Sequence, residues 1–104
     1  NCCYQLMLSI LIPIYNFDIS FFVEDLHNQC VKCGIDFEII CIDDKSSNHF
    51  LKLNNKIKAL NHVSYSELEQ NVGRSKIRNS LANKAKYNSL IFVDCDCDNG
   101  NKSD

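Results

Sequence analysis

The sequence predicts an α/β fold: a three-layer sandwich with a mostly parallel sheet and strand order 3-2-1-4. Two observations carry this. Apolar runs of strand length alternate with segments whose apolar residues recur every three or four positions, in the order strand, helix, strand, helix, weak strand, helix, strand. Such alternation implies parallel neighbours with helices on both faces, and right-handed crossovers make 3-2-1-4 the simplest order.

Each element has its own justification. Residues 8–13, LSILIP, form an apolar run ended by proline and read as a buried strand. YNFD follows as a loop, with Asp18 or Ser20 available as a helix N-cap. Ile19, Phe22, Val23, Leu26, Cys30 and Cys33 then trace one face of an amphipathic helix, and Gly34 stands where a C-terminal cap belongs. Residues 36–44, DFEIICIDD, read as a second strand, apolar in its middle and acidic at its end. KSSN turns into a helix near 48–60 with Phe50, Leu53, Ile57 and Leu60 on one side. Residues 62–68 are a weak strand. NVGRSKIRNSLANKAK, 71–86, begins with a glycine turn and continues as a helix with Ile77, Leu81, Ala82 and Ala85 facing inward; SLIFVD, 89–94, is the last strand.

The composition narrows the function classes. The 104 residues suffice for one core, with ordinary apolar (45%) and charged (23%) fractions. A net charge of −2 supplies no basic footprint, so no nucleic-acid partner is expected. No apolar run is long enough to span a bilayer, and NCCYQLMLSILIPIYN has no basic leading region, so neither a membrane segment nor a signal peptide is expected. The seven cysteines are odd in number, and Cys41 lies mid-strand, where a thiol packs as a small hydrophobe. Cys30 and Cys33 would need Cys95 and Cys97 to build a zinc site, at spacings that match no common zinc module. Packed, reduced thiols in a cytoplasmic chain are the expectation.

The acids are placed unusually. In open parallel sheets ligands bind outside the carboxyl ends of the strands, near the point where the strand order reverses. Those ends carry Tyr15 and Asn16, then Asp43 and Asp44, then Asp94, Asp96 and Asp98, all on one edge. Uncompensated carboxylates at the mouth of a buried strand are costly, so a positive or hydrogen-bonding group is expected to meet them. Alone, each has an ordinary structural explanation: aspartates bond their own backbone in turns, and Lys76 and Arg78 could simply be the wet face of a helix.

Four segments, LSILIPIYN, FEIICIDDKSS, NVGRSKIRNSLANKA and LIFVDCDCD, in this order and at these intervals, resemble the nucleotide-sugar-binding half of a family 2 glycosyltransferase with the GT-A fold, over residues 8–98. The resemblance implies a nucleotide-sugar donor, of the UDP class, and a divalent cation, Mn²⁺ or Mg²⁺. Pro13, Ile14 and Tyr15 would wall the base, Asp44 would receive the uracil or ribose, Gly73 would allow a close turn before its helix, and Arg78 would lie near the base and diphosphate. Asp94 and Asp96 match the family's D-x-D, Asp94 on the donor and Asp96 on the metal, with Asp98 a third acid. Asp43 is the weakest candidate, an acid solvated at its strand end. Carboxylate oxygens suit both tasks: they accept from ribose hydroxyls and ring N–H groups, and they ligate hard cations that offset the charge of a departing diphosphate.

The pattern also departs from the family. Cys95 and Cys97 stand between the acids, and thiols beside a metal favour softer ions. Residues 1–7 read as an N-terminal extension before a natural start at Met7. The family's acceptor-binding half, which supplies the base for inverting transfer to a saccharide or lipid-linked acceptor, follows the D-x-D. Residues 8–104 are therefore expected to bind a donor without turning it over. Two other readings stay open: a non-catalytic α/β binding module that keeps the fold, and a receiver-like domain, which fits the motif order poorly.

Overall fold

The structure, a computed structural model, describes residues 6–95. Its elements are β1 (Met7–Ile14), α1 (Ser20–Cys33), β2 (Asp36–Asp43), α2 (Asn48–Asn54) continued by a 3-10 turn (Asn55–Ala59), β3 (Val63–Glu67), α3 (Arg74–Lys84) and β4 (Ser89–Phe92). The four strands form one sheet in the order β3-β2-β1-β4, and every pairing is parallel. The expected order and the central place of β1 are both observed.

Strand alternation divides the core. Ile10, Ile12 and Ile14 of β1 and Phe37, Ile39 and Cys41 of β2 pack with Ile19, just before α1, with Val23 and Cys30 of α1 and with Ile57. Leu11, Ile40 and Ile42 point the other way, onto Ile77 and Leu81 of α3. The sheet is thus covered on both faces, which is why its central strands read as continuous apolar runs. Burying each such side chain stabilises the fold by about 1.5–3 kcal/mol. At the N-terminal end of the strands, the Ser9 hydroxyl donates to Glu38 Oε2 (2.6 Å), which also accepts the Lys86 N–H (2.7 Å). Those bonds fix the approach to β4.

The C-terminal end of α1 follows the sequence. Gly34 adopts φ +69° and donates its N–H to the Val31 carbonyl, closing α1 as a left-handed cap. The N-cap of α1 is Ile19, with no side-chain cap bond, rather than the expected Asp18 or Ser20; Asp18 Oδ1 accepts the Ser20 N–H (3.0 Å) and hydroxyl (2.7 Å), which hold the Asp18 carboxyl below its ordinary pKa.

Three further expectations need correction. The second helix does not run to residue 60 as one α-helix but tightens to 3-10 after Asn54. Side chains three apart eclipse in a 3-10 turn, so Asn54 and Ile57 both face inward and both are fully buried. Phe22 and Cys33 are exposed, because the buried stripe of α1 is only wide enough for Ile19, Val23 and Cys30 with Leu26 partly covered. Ala82 is likewise exposed, one position past the inward-facing Leu81.

Cys41 is buried in the core, and burial pushes its thiol far above the ordinary range. Cys30 is buried, Cys33 exposed and Cys95 partly covered, and among the described residues no group of three His, Cys, Asp or Glu could hold a metal ion. Cys97 lies outside the described residues. Among those described, no helix is long and apolar enough to cross a membrane.

Candidate functional site

The candidate site lies at the carboxyl ends of β1, β2 and β4. Successive residues at the end of β2 part company: Asp43 turns toward Ser46 and Asp44 toward the loop before α3. The Asp44 carboxylate accepts the Val72 N–H on Oδ1 (2.7 Å), and on Oδ2 the Gly73 N–H (2.9 Å) and the Asn71 Nδ2 amide (3.0 Å). Asn71 Nδ2 also donates to the Asp44 carbonyl (2.9 Å). A carboxylate has about four lone-pair sites, so one on Oδ1 is left for a further donor. Gly73 holds φ +95° and ψ 158°, a region essentially reserved for glycine. The close turn expected before α3 is there, and Asp44 holds it.

At the β4 side, Asp94 faces Arg78 of α3, whose Nη1 lies 3.3 Å from Oδ1 and 3.4 Å from Oδ2. The Arg78 guanidinium lies over the Phe92 ring, 4.1 Å from its centroid. Asp94 Oδ1 and Oδ2 are held at long distance and the side chain is 43% exposed, so the carboxylate remains open to solvent and ions. The α3 segment therefore bears on both acids: residues 71–73 grip Asp44, and Arg78 leans on Asp94. β1 runs between them, which sets the ends of β2 and β4 about 10 Å apart at two strand spacings.

The β1 residues divide by parity. The Leu11 carbonyl accepts from Val93 and the Ile14 carbonyl from Asp44, so Pro13, of the Leu11 parity, turns its missing N–H toward β4 beyond the last paired rung. No ladder bond is lost. Tyr15 is half-exposed at the edge. Ile14 is buried in the core and offers the edge only its backbone.

Asp43 is corrected. It is not solvated but fully buried, and its carboxylate accepts the Ser46 N–H (2.7 Å) and the Ser46 hydroxyl (2.5 Å). Ser46, Asn54 and the grip of Asn71 were not visible in sequence, since each acts on a partner 27 to 37 positions away. Buried Asn54 carries the loop before α1, accepting the Ile19 N–H (2.7 Å) and donating to the Phe17 carbonyl (2.8 Å). Asp96 and Asp98 lie outside the described residues. Among the described residues Asp94 is the acid at the β4 end, and no group of three metal-ligating side chains surrounds it. A pocket of about 290 Å³ against α2 is lined by Leu51, Lys52, Asn55 and Glu67, with neither Asp44 nor Asp94 in its wall.

Comparison with known proteins bears on the family. The family model for glycosyl transferase family 2 matches residues 9–98. A poly(ribitol-phosphate) beta-glucosyltransferase of Bacillus spizizenii is 36% identical over 98 residues, covering 86% of this chain and 14% of that protein. The poly(ribitol-phosphate) beta-N-acetylglucosaminyltransferase TarS of Staphylococcus aureus is 28% identical over 96 residues, 88% of this chain and 16% of that one. The crystal structure of S. aureus TarS 1–349 in complex with UDP-GlcNAc superposes with a TM-score of 0.70 at 27% identity, over 86% of this chain and 26% of that one. The complex with UDP gives a TM-score of 0.67 at 26% identity, over 86% and 27%. The chain spans about one-seventh of the length of the curated relatives it matches. With a GT-A-like sheet and the family pattern running through nearly all of it, the chain belongs to glycosyl transferase family 2.

Proposed function

We propose that this chain is the donor-binding part of a glycosyltransferase that uses a UDP-sugar with a divalent cation. The observation that carries the reading is the convergence on one sheet edge of exposed Tyr15, the Asp44 carboxylate held by residues 71–73, and the Arg78–Asp94 pair. Asp44 keeps one acceptor site for a ring N–H or ribose hydroxyl, Tyr15 offers a face for the base, and Arg78 brings positive charge to the diphosphate. Asp96 with Asp94 would hold Mn²⁺ or Mg²⁺, which when bound offsets the charge of the leaving diphosphate. The neighbouring TarS complexes with UDP-GlcNAc and UDP support a uridine donor. Transfer to an acceptor, of the polyol-phosphate kind for which the relatives are named, with inversion and with a base from outside residues 8–104, belongs to the proposal for the longer protein.

The second reading, a binding module without transferase chemistry, draws on the engagement of Asp44 by three donors. Calorimetric titration of UDP with Mn²⁺ and then with EDTA separates the two. The donor-site reading expects saturable, metal-dependent binding that weakens about tenfold in EDTA, the equivalent of one charge-assisted contact. No binding to the folded chain under either condition sinks it.

A further inference from the structure

Asp43 is completely buried at the tip of β2, and its carboxylate begins a chain of hydrogen bonds that crosses between two loops. It accepts the Ser46 N–H and hydroxyl at 2.7 and 2.5 Å. The same Ser46 Oγ accepts the Asn16 N–H at 2.7 Å, and Asn16 Oδ1 accepts the Ser47 N–H at 2.9 Å. Ser46 is the link, donating to one loop's carboxylate while accepting from the other loop's backbone. Both loops are also held in unusual shapes: Asn16 has φ +51° and Lys45 φ +67°. Asparagine tolerates the left-handed region and lysine seldom enters it, so surrounding bonds must hold the 44–47 turn in place. An apolar residue at 43 could fill the space, but the Ser46 N–H and hydroxyl would then be buried without an acceptor.

The neighbours of this chain give it a use. Tyr15 precedes Asn16, and Asp44 follows Asp43, so the link sets how far the Tyr15 face stands from the Asp44 carboxylate. We infer that Ser46, through Asp43, is a positioning residue for the nucleotide of the donor. The inference rests on the donor-site reading above. It goes beyond it by assigning a part to the buried acid and serine that touch no ligand.

Ser46→Ala removes the hydroxyl and leaves the Asn16 N–H without its acceptor, whereas Ser46→Thr keeps it. Asn16→Gly keeps the left-handed backbone and frees only the Ser47 N–H. Two readouts apply, at a temperature where each variant is folded: amide hydrogen exchange at Asn16 and Ser47 by NMR, and UDP affinity with Mg²⁺ by calorimetry. Ser46→Ala is expected to speed Asn16 exchange and weaken UDP binding by about tenfold each, the equivalent of one net hydrogen bond. Ser46→Thr restores both, Asn16→Gly shows smaller changes of the same sign, and Ser64→Ala, exposed on β3, changes neither. A Ser46→Ala protein that binds UDP as the parent does overturns this inference alone. A folded parent that binds no UDP overturns the donor-site reading and this inference with it. If Ser46→Ala does not fold, Asn16→Gly decides: faster Ser47 exchange with unchanged UDP affinity overturns the positioning role.

Discussion

The Asp44 carboxylate accepts the Gly73 N–H at 2.9 Å across 29 positions of chain, and this contact joins the end of β2 to the start of α3. Together with the Val72 and Asn71 bonds it fixes the helix that also carries Arg78. Asp44 is therefore a structural acid as well as a candidate ligand, and its variants should show both effects. Hydrogen bonds to charged groups are each worth about 1.5–3 kcal/mol, and losing the acceptor strands two partly buried N–H groups. Asp44→Ala should lower stability by about 2–4 kcal/mol in urea unfolding. Lys32→Ala, exposed in the last turn of α1, should stay within about 0.5 kcal/mol.

Asp94 should behave oppositely. Its contact with Arg78 is long and largely solvated, and such pairs contribute about 0–1 kcal/mol. Asp94→Ala should leave the unfolding midpoint nearly unchanged while weakening UDP binding about tenfold. A large stability loss without loss of UDP affinity would reverse the assignment.

Gly73 tests backbone strain separately from packing. A Cβ there meets nothing within 4 Å, so any cost of Gly73→Ala comes from φ +95° alone. Holding alanine in that region should cost about 1–3 kcal/mol. A neutral substitution in urea unfolding would show that the turn relaxes freely.

How much of this was legible in the sequence depended on range. The runs ILI in β1 and EIICI in β2 revealed buried strands because parallel sheets covered on both faces have no polar alternation to hide them. Gly34 and Gly73 were readable because a positive φ is a local demand that few residues meet. The division of labour between Asp43 and Asp44 was not readable. It turns on which face each residue takes as the strand ends, and on partners in the 71–73 loop that no local pattern announces. Asn54 failed to register for the same reason: inside a helical pattern it looks like a solvent-facing polar residue, yet it is fully buried against the 17–19 loop.

Tyr65 carries a buried hydroxyl with no partner among the described residues, and burial, with Asp43 and Glu67 nearby, pushes its pKa far up. An unsatisfied buried hydroxyl costs about 1–3 kcal/mol. Tyr65→Phe keeps the ring and should match or exceed the parent in urea unfolding; a clear loss of stability would reveal a partner for the hydroxyl.

Asp18 gives the acid limb a local contribution. Its folded pKa lies below 3.8 because Ser20 donates two hydrogen bonds to the ionised form. The stabilisation is thus complete above the unfolded pKa and is lost as pH falls through the folded one. Asp18→Asn should flatten the decline in stability below about pH 4 and leave the neutral region's slope unchanged. An unchanged acid limb would mean the Ser20 bonds do not favour the charged carboxylate.

The central claim is that the carboxyl edge of the sheet, between Tyr15, Asp44 and Asp94, holds the nucleotide of the donor. Its most direct test is amide NMR mapping of the folded chain titrated with UDP and Mg²⁺. The shifts should concentrate at residues 15–16, 43–47, 71–73 and 93–95, and should need about tenfold more UDP to develop without the cation or in Asp94→Ala. Shifts clustered instead around Leu51, Lys52, Asn55 and Glu67, the pocket beside α2, would contradict it.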